Sequence, residues 1–373
     1  MARRDIGTDD PRVRVRPGRG SRPRTKQRPS HADAALGMVT RIDRGHYRIR
    51  LDEPGLTEDS SGNITAMKAR ELGRGKVVVG DRVAVVGDTS GRKGTLARMV
   101  RIEERTTLLR RSAEDGDTAG TERGIVANAN QLVIVTAVAD PEPRPRMIDR
   151  YLVAAYDAGM EPLIVLTKTD LADAAPLTGL YSPLGVHCLA TRLSPHVAGT
   201  EPSQTGGDQQ PDDGVEAVRQ ALNGASSVLV GHSGVGKSTL INALVPGADR
   251  ATGHVNEVTG RGRHTSTSLQ ALELPGGGWV IDTPGVRSFG VSHVGSADVL
   301  RSFPDLASVA EDCPRGCTHE DDVVDCALDA WAGTADGPAA PGASVAPEDR
   351  RARVESFRRL LAPSLEAEDP SRP

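Results

Sequence analysis

The residues best suited to chemistry form a glycine-rich segment that ends in a lysine and a serine. Residues 231–238 read GHSGVGKS, follow the apolar run 226–230 and match the pattern G-x-x-x-x-G-K-[ST]. Backbone N–H groups of such a segment surround phosphates, and the start of the next helix adds a positive field. The sequence predicts that Lys237 reaches the β- and γ-phosphates of a nucleotide and that Ser238 ligates Mg²⁺. The remaining predicted contacts come from Gly231, His232, Ser233, Gly234, Val235 and Gly236.

A second element, TKTD at residues 167–170, follows the apolar run 162–166. The carboxylate of Asp170 can accept hydrogen bonds from guanine N1–H and from the exocyclic amine, a pair of donors that adenine lacks. We expect Lys168 to pack along the base and to hold the phosphate loop. A phosphate loop alone does not choose between ATP and GTP, so the prediction of GTP depends on Asp170.

A third element, DTPG at residues 282–285, follows the apolar run 279–281. Asp282 is predicted to hold the Mg²⁺ shell, and the backbone N–H of Gly285 to face the γ-phosphate. Between the phosphate loop and this element lies the polar segment TGRGRHTST at 259–267. A threonine there, Thr265 or alternatively Thr267, is expected to touch Mg²⁺ and to order the segment only with a triphosphate.

Hydrolysis needs a group that positions the attacking water. Many GTPases use a glutamine directly after the third element, but Val286 stands there and cannot orient water. His264 is the predicted substitute, because a neutral imidazole can hydrogen-bond to water. The alternative is that His264 only caps a loop.

Three of the four cysteines and one histidine fall within 14 residues, in the spacing C-x₃-C-x-H-x₆-C. Three thiolates and one imidazole form a closed tetrahedral set suited to one structural Zn²⁺. The predicted ligands are Cys313, Cys317, His319 and Cys326, and scattered thiols are the alternative. Cys188 stands apart and is expected to be a buried thiol.

The apolar pattern predicts the elements that position these motifs. Short strands between residues 36 and 110, including 37–42, 47–51, 76–79 and 81–86, indicate a small β-barrel. Continuous apolar runs at 131–138, 162–166, 226–230 and 279–281, alternating with helical stretches such as 147–159 and 238–245, indicate a parallel α/β sheet. After a Pro/Ala/Gly linker, Val354, Phe357, Leu360 and Leu361 share one face of a last helix. The base-reading element precedes the phosphate loop, which is the order of a circular permutation.

Composition excludes several classes of protein. The 373 residues have four cysteines and 41 glycines without a strict period, which argues against a disulfide framework and against collagen. No run approaches 18 uncharged apolar residues, and the first residues have no apolar core, so we expect a cytoplasmic protein without a membrane partner. The net charge of −4 divides into +11 over residues 1–110 and −15 over the remainder. Basic residues of the barrel, with Tyr47 as its one aromatic, predict contact with phosphates of an RNA rather than with its bases. The alternative is that they form an ordinary solvated surface.

Taken in order, the basic barrel, TKTD, GHSGVGKS, RHTST, DTPG and the Cys/His cluster resemble the ribosome small-subunit-dependent GTPase A family. The resemblance implies an N-terminal OB-type β-barrel, a central, circularly permuted α/β P-loop GTPase domain and a C-terminal small helical zinc-binding domain. The expected limits are a disordered basic tail at 1–33, the barrel at 34–110, the GTPase domain at 111–298, the zinc-binding domain at 299–362 and a flexible tail at 363–373. It further implies that Thr167, Lys168, Thr169, Asp170 and the loop through Thr239 bind GTP, that His264 assists catalysis, and that one structural Zn²⁺ is held.

The family also implies hydrolysis of GTP in late maturation of the small ribosomal subunit, with binding to its rRNA and stimulation by the subunit. We expect a monomer that binds GTP and GDP. Two alternatives stay open, namely an RNA-binding scaffold or checkpoint whose conformation the nucleotide sets, and a permuted GTPase acting on another RNA or protein. The sequence departs from the usual family pattern in several places. Threonine leads TKTD where asparagine is common, and two gaps in the Cys/His cluster differ by one residue. Residues 188–191 match the usual base-contacting loop only loosely, and the basic tail and the insertion at 196–214 have no family counterpart.

Overall fold

The computed structural model describes residues 31–53, 57, 61–73, 77–111, 123–192, 214–246, 248, 269–284, 289, 291, 294–333 and 346–368. Most of the predicted basic tail and most of the Pro/Ala/Gly linker, residues 333–348, lie outside these residues. The domain limits given above stay predictions.

Five strands form a closed barrel, which confirms the predicted OB-type domain. They are β1 (Ala35–Asp43), β2 (His46–Leu51), β3 (Asn63–Lys68), β4 (Arg82–Gly87) and β5 (Ala97–Ile102). The strands pair in the order β1-β2-β3-β5-β4, and β4 pairs again with β1. Alternate side chains fill the interior, where Val39, Ile49, Val83 and Met99 are completely buried.

The strand predicted at residues 76–79 does not form among the residues described there. Val77 and Val78 are outside any strand, and Val79 makes only a single bridge to Val126. The Asp81 carboxylate accepts a hydrogen bond from the backbone N–H of Val78 at 2.8 Å. A side chain therefore takes the donor that a strand partner would need, and the apolar run packs as a loop.

The central sheet contains the predicted parallel strands. A hairpin of β6 (Leu108–Arg111) and β7 (Arg123–Ala127) leads to β8 (Gln131–Ala137), β9 (Glu161–Thr167), β10 (His187–Ala190), β11 (Ser226–Val230), β12 (Gln270–Glu273) and β13 (Trp279–Asp282). The order across the sheet is β10-β9-β8-β11-β13-β12, parallel except for β12. Both faces of β8 are buried, as its continuous apolar run predicts. β12 also pairs with β1, so the barrel and the sheet are joined by main-chain hydrogen bonding.

Helices pack on the sheet and make up the C-terminal region. In the described part of the chain they are α1 (Pro145–Asp157), α2 (Ala175–Tyr181), α3 (Val215–Leu222), α4 (Lys237–Leu244), α5 (Ser296–Leu300), α6 (Pro304–Ala310), α7 (Ala327–Gly333) and α8 (Pro347–Glu368). The predicted apolar face of α8 is confirmed, since Val354, Phe357, Leu360 and Leu361 are at most 2% exposed. Phe357 meets Phe303 edge to face, with ring centroids 5.6 Å apart. Among the described helices, none combines the length and apolarity that crossing a bilayer requires.

Candidate nucleotide site and metal site

The glycine-rich segment connects strand β11 to helix α4, which is the context that a phosphate loop needs. Gly231 has a φ of 152°, and a side chain there would place Cβ 2.3 Å from the carbonyl oxygen of Val135. Gly236 has a φ of 91° immediately before α4 begins at Lys237. Only glycine fits these two positions without strain, and the backbone at the helix start is left open to an anion.

The TKTD element begins at the last residue of β9, two strands from β11. Thr167 is completely buried, and its hydroxyl donates a hydrogen bond to the carbonyl oxygen of Val235 in the glycine-rich segment at 2.6 Å. Thr169 is held from the other side, because its hydroxyl donates to Thr191 O at 3.0 Å. The Lys168 ammonium donates to Asp140 O, and Asp170 is exposed. The structure thus brings the predicted base-reading element against the phosphate loop.

Asp282 ends β13, next to β11, and lies against Lys237. The Lys237 ammonium is 3.3 Å from Asp282 Oδ1 and donates to Thr283 O at 3.2 Å. The Thr283 hydroxyl donates to Leu229 O at 2.7 Å and fixes this turn to β11. Lys237, Ser238, Thr239 and Asp282 therefore gather at the carboxyl ends of adjacent parallel strands, where ligands bind in open α/β sheets. His264, Thr265 and Gly285 lie outside the described residues.

The four predicted metal ligands converge in the C-terminal region, and their ligand atoms lie within 4.8 Å of one another. Nδ1 of His319 is 3.6, 3.4 and 3.8 Å from the sulfurs of Cys313, Cys317 and Cys326, and Cys313 Sγ is 4.0 Å from Cys326 Sγ. Tetrahedral Zn²⁺ would separate sulfur from nitrogen by about 3.5 Å and sulfur from sulfur by about 3.8 Å. The four donors therefore fit a Zn²⁺ ion.

The surroundings of these ligands also suit a metal. Burial lowers the pKa of His319, which favours the neutral imidazole that ligates metals. The backbone N–H of Ala327 points at Cys313 Sγ, 3.3 Å away, as expected next to a thiolate. Arg358 of α8 donates to His319 O at 2.9 Å and makes two bonds to Asp329, so α8 holds the loop that carries the ligands.

Two buried ion pairs of α8 were not predicted from the sequence. Arg353 makes two bonds to Asp305, whose side chain is 1% exposed. Arg359 reaches Asp149 of α1 at 3.2 Å, and burial raises the pKa of that carboxyl to about 6 although Arg359 opposes the shift. The arginines next to the apolar face of α8 were the only sequence signal, because their acidic partners are 48 and 210 residues away.

The strand order, the motif order and the gathered motifs define a circularly permuted GTPase. The family model for the RsgA GTPase matches residues 102–292. Curated relatives called "Small ribosomal subunit biogenesis GTPase RsgA" are 36% identical over 282 residues in Ectopseudomonas mendocina (strain ymp), covering 74% of this chain and 75% of the relative, and 36% identical over 276 residues in Pseudomonas aeruginosa (strain LESB58), covering 74% of each. The chain belongs to the RsgA GTPase family and is a GTPase.

Two solved structures support the fold. YjeQ from Thermotoga maritima has a TM-score of 0.59 and 23% identity, covering 89% of this chain and 98% of that one. YloQ, described as a circularly permuted GTPase, has a TM-score of 0.60 and 20% identity, covering 93% and 99%. The predicted family and the predicted fold class are therefore confirmed.

Proposed function

We propose that this GTPase acts in late maturation of the small ribosomal subunit, where it binds rRNA and is stimulated by the subunit to hydrolyse GTP. The curated relatives are named as GTPases of small ribosomal subunit biogenesis, and they match about three quarters of the chain. The observation that carries the proposal is the strand pairing between the barrel and the GTPase sheet, because it connects the surface that we propose for RNA to the nucleotide site.

A single strand, β12, lies between β1 of the barrel and β13, which ends at Asp282. Gln270 of β12 is in register with Arg41 of the barrel on one side and with Asp282 of β13 on the other. A second contact joins Arg50 of β2 to Glu273 of β12 at 3.3 Å. β12 begins shortly after the segment 259–267, which we propose as the part that senses the γ-phosphate. A ribosomal contact on the barrel can therefore bias the position of groups around the nucleotide.

The barrel offers exposed cations for such a contact. Arg48, Arg92, Lys93 and Arg98 are all exposed, and Arg98 is paired across the strands with Met67, which is 48% exposed. Cations with few aromatics bind a nucleic-acid backbone through phosphates, and that binding weakens as salt rises. The proposed partner is therefore folded rRNA recognised by shape and charge.

At the nucleotide site we propose that the backbone of residues 231–236 and Lys237 hold the phosphates and that Asp170 reads guanine. Mg²⁺ would be held by Ser238, Asp282 and Thr265, and it would neutralise charge on the β- and γ-oxygens when bound. Gly285 would contact the γ-phosphate. We propose His264 as the residue that orients the attacking water, because the side chain of Val286 offers no hydrogen bond.

We propose that Zn²⁺ is structural. The three cysteines and His319 complete a tetrahedral set and leave no coordination position for a substrate. Metal analysis of the purified chain should give one zinc per molecule, and Cys326→Ser should reduce it well below that. Cys188→Ser, which removes a thiol outside the cluster, should keep the full equivalent. Equal zinc in both variants would contradict the assignment.

The ribosomal role is tested by sedimenting the chain with purified small subunits. A non-hydrolysable GTP analogue should increase the bound fraction over GDP, and binding should weaken steeply with salt. A variant carrying Arg92→Glu, Lys93→Glu and Arg98→Glu should lose subunit binding but keep its GTPase rate without subunits. Equal binding of this variant would exclude the barrel as the contact surface.

Maturation of the small subunit in cells distinguishes the checkpoint alternative from the proposed function. Lys237→Ala should delay maturation of the small subunit if GTP hydrolysis is required. Normal maturation with this variant would favour a scaffold whose conformation alone matters.

A further inference from the structure

We infer that Thr167 ties the base-reading element to the phosphate loop and does not read the nucleotide base. This inference rests on the proposed guanine-nucleotide site and adds a determinant of its specificity. It concerns the position where the sequence departs from the more common asparagine.

The hydroxyl of Thr167 hydrogen-bonds within the protein. The side chain is completely buried, and its hydroxyl lies 2.6 Å from the carbonyl oxygen of Val235 and 3.3 Å from that of Thr136. Both neighbours are acceptors, and a hydroxyl has one proton to donate. The short distance to Val235 shows where that proton goes.

The same side chain also packs against the end of the phosphate loop. A Cβ built on Gly236 would lie 3.6 Å from Thr167 Oγ1 and 3.8 Å from its methyl group. One side chain of β9 therefore hydrogen-bonds to Val235 and lies beside Gly236, the last two residues before α4. In this arrangement Thr167 is a positioning residue for Lys237, which follows directly.

Because its one proton goes to Val235, Thr167 cannot donate a hydrogen bond to N7 of guanine. Asp170 is proposed to accept from N1–H and the amine, whereas N7 and O6 on the other side are acceptors and need a donor. The Thr167 hydroxyl has no second proton for N7. Asparagine has two amide protons, so it can hold Val235 and still donate to the base.

The test compares GTP with 7-deaza-GTP, which carries C–H in place of N7 and keeps every other polar group of the base. The measured quantity is the ratio of the two dissociation constants, 7-deaza-GTP over GTP, in the full-length chain. Thr167→Val should leave this ratio unchanged within about twofold. Thr167→Asn should raise it by about five- to tenfold, because one new hydrogen bond to N7 is then lost with the analogue.

The tether itself has a separate readout. Thr167→Val removes the donor that holds the carbonyl of Val235, so the phosphate loop and Lys237 are no longer held in place by this bond. The variant should therefore bind GTP and 7-deaza-GTP more weakly by the same factor, about five- to tenfold. Thr167→Ser keeps the hydroxyl and should restore binding to within about twofold of the original chain. Such rescue would not follow if Thr167 mattered only through its volume.

Two results would overturn the inference while the proposed function stands. If the ratio of the dissociation constants of 7-deaza-GTP and GTP falls in Thr167→Val, the hydroxyl reads N7. If Thr167→Val leaves the affinity for GTP unchanged, the hydroxyl does not act as a tether. Failure of the original chain to bind either nucleotide would instead overturn the proposed guanine-nucleotide site.

Discussion

The buried pair between Asp149 and Arg359 predicts a specific dependence of stability on pH. Burial raises the pKa of Asp149 from 3.8 to about 6 in the folded protein. The native state therefore binds this proton more tightly than the unfolded chain. The stabilisation that this proton gives the folded protein is complete below pH 3.8 and is lost as the pH rises through about 6.

The size of the effect follows from the shift. A change from 3.8 to about 6 corresponds to about 3 kcal/mol over the whole transition. Lowering the pH from about 7.5 to about 5 recovers about 1.4 kcal/mol of it. Asp149→Asn cannot titrate but keeps an oxygen for Arg359. The original chain should therefore gain about 1.4 kcal/mol relative to this variant over that interval.

The assay is urea unfolding of both proteins at several pH values, followed by tryptophan fluorescence. Comparing the two proteins at each pH cancels groups that both contain, including the metal ligands. Glu355→Gln, an exposed carboxylate on α8, is the matched control and should follow the original chain. A constant difference between the original chain and Asp149→Asn would refute the reasoning, because it would mean that Arg359 keeps Asp149 ionised throughout.

Two further substitutions test the ion pair between Arg353 and Asp305 and the recognition of guanine by Asp170. Arg353→Ala leaves the carboxylate of Asp305 buried without its partner and should cost about 3–5 kcal/mol of stability, against about 0.5 kcal/mol or less for the exposed Arg351→Ala, both measured by urea unfolding. Equal losses would contradict the burial argument. Asp170→Asn should lower GTP affinity about 100-fold, by the loss of two charge-assisted bonds, and should favour xanthosine triphosphate, which carries a carbonyl where guanine carries the amine. Unchanged preference in a binding competition would show that another residue reads the base.

Local motifs were the part of the site that the sequence could predict. The sequence pattern around Gly231 and Gly236 requires a strand, a turn and a helix within a few residues, and the structure has them. The Cys/His cluster was predictable for the same reason, because its four ligands fall in one short segment. The buried runs of β8 and β11 predicted a parallel sheet, since strands covered on both faces are apolar throughout.

Contacts between distant parts of the chain were not predictable from one sequence. Thr167 and Val235 are 68 residues apart, and nothing local to either indicates the hydrogen bond between them. The four residues of β12 are too few for a periodic signal, although that strand joins the barrel to the sheet. The run at 76–79 looked like a strand because its composition is apolar, but the Asp81 carboxylate changed its hydrogen bonding.

The central claim is that contact with the small ribosomal subunit stimulates hydrolysis of GTP by this chain. It is tested most directly by the rate of GTP turnover with and without purified small subunits at low salt. We expect slow turnover alone and a rate at least several-fold higher with subunits, with the increase lost in the Arg92→Glu, Lys93→Glu, Arg98→Glu variant. A rate that subunits leave unchanged would contradict the claim.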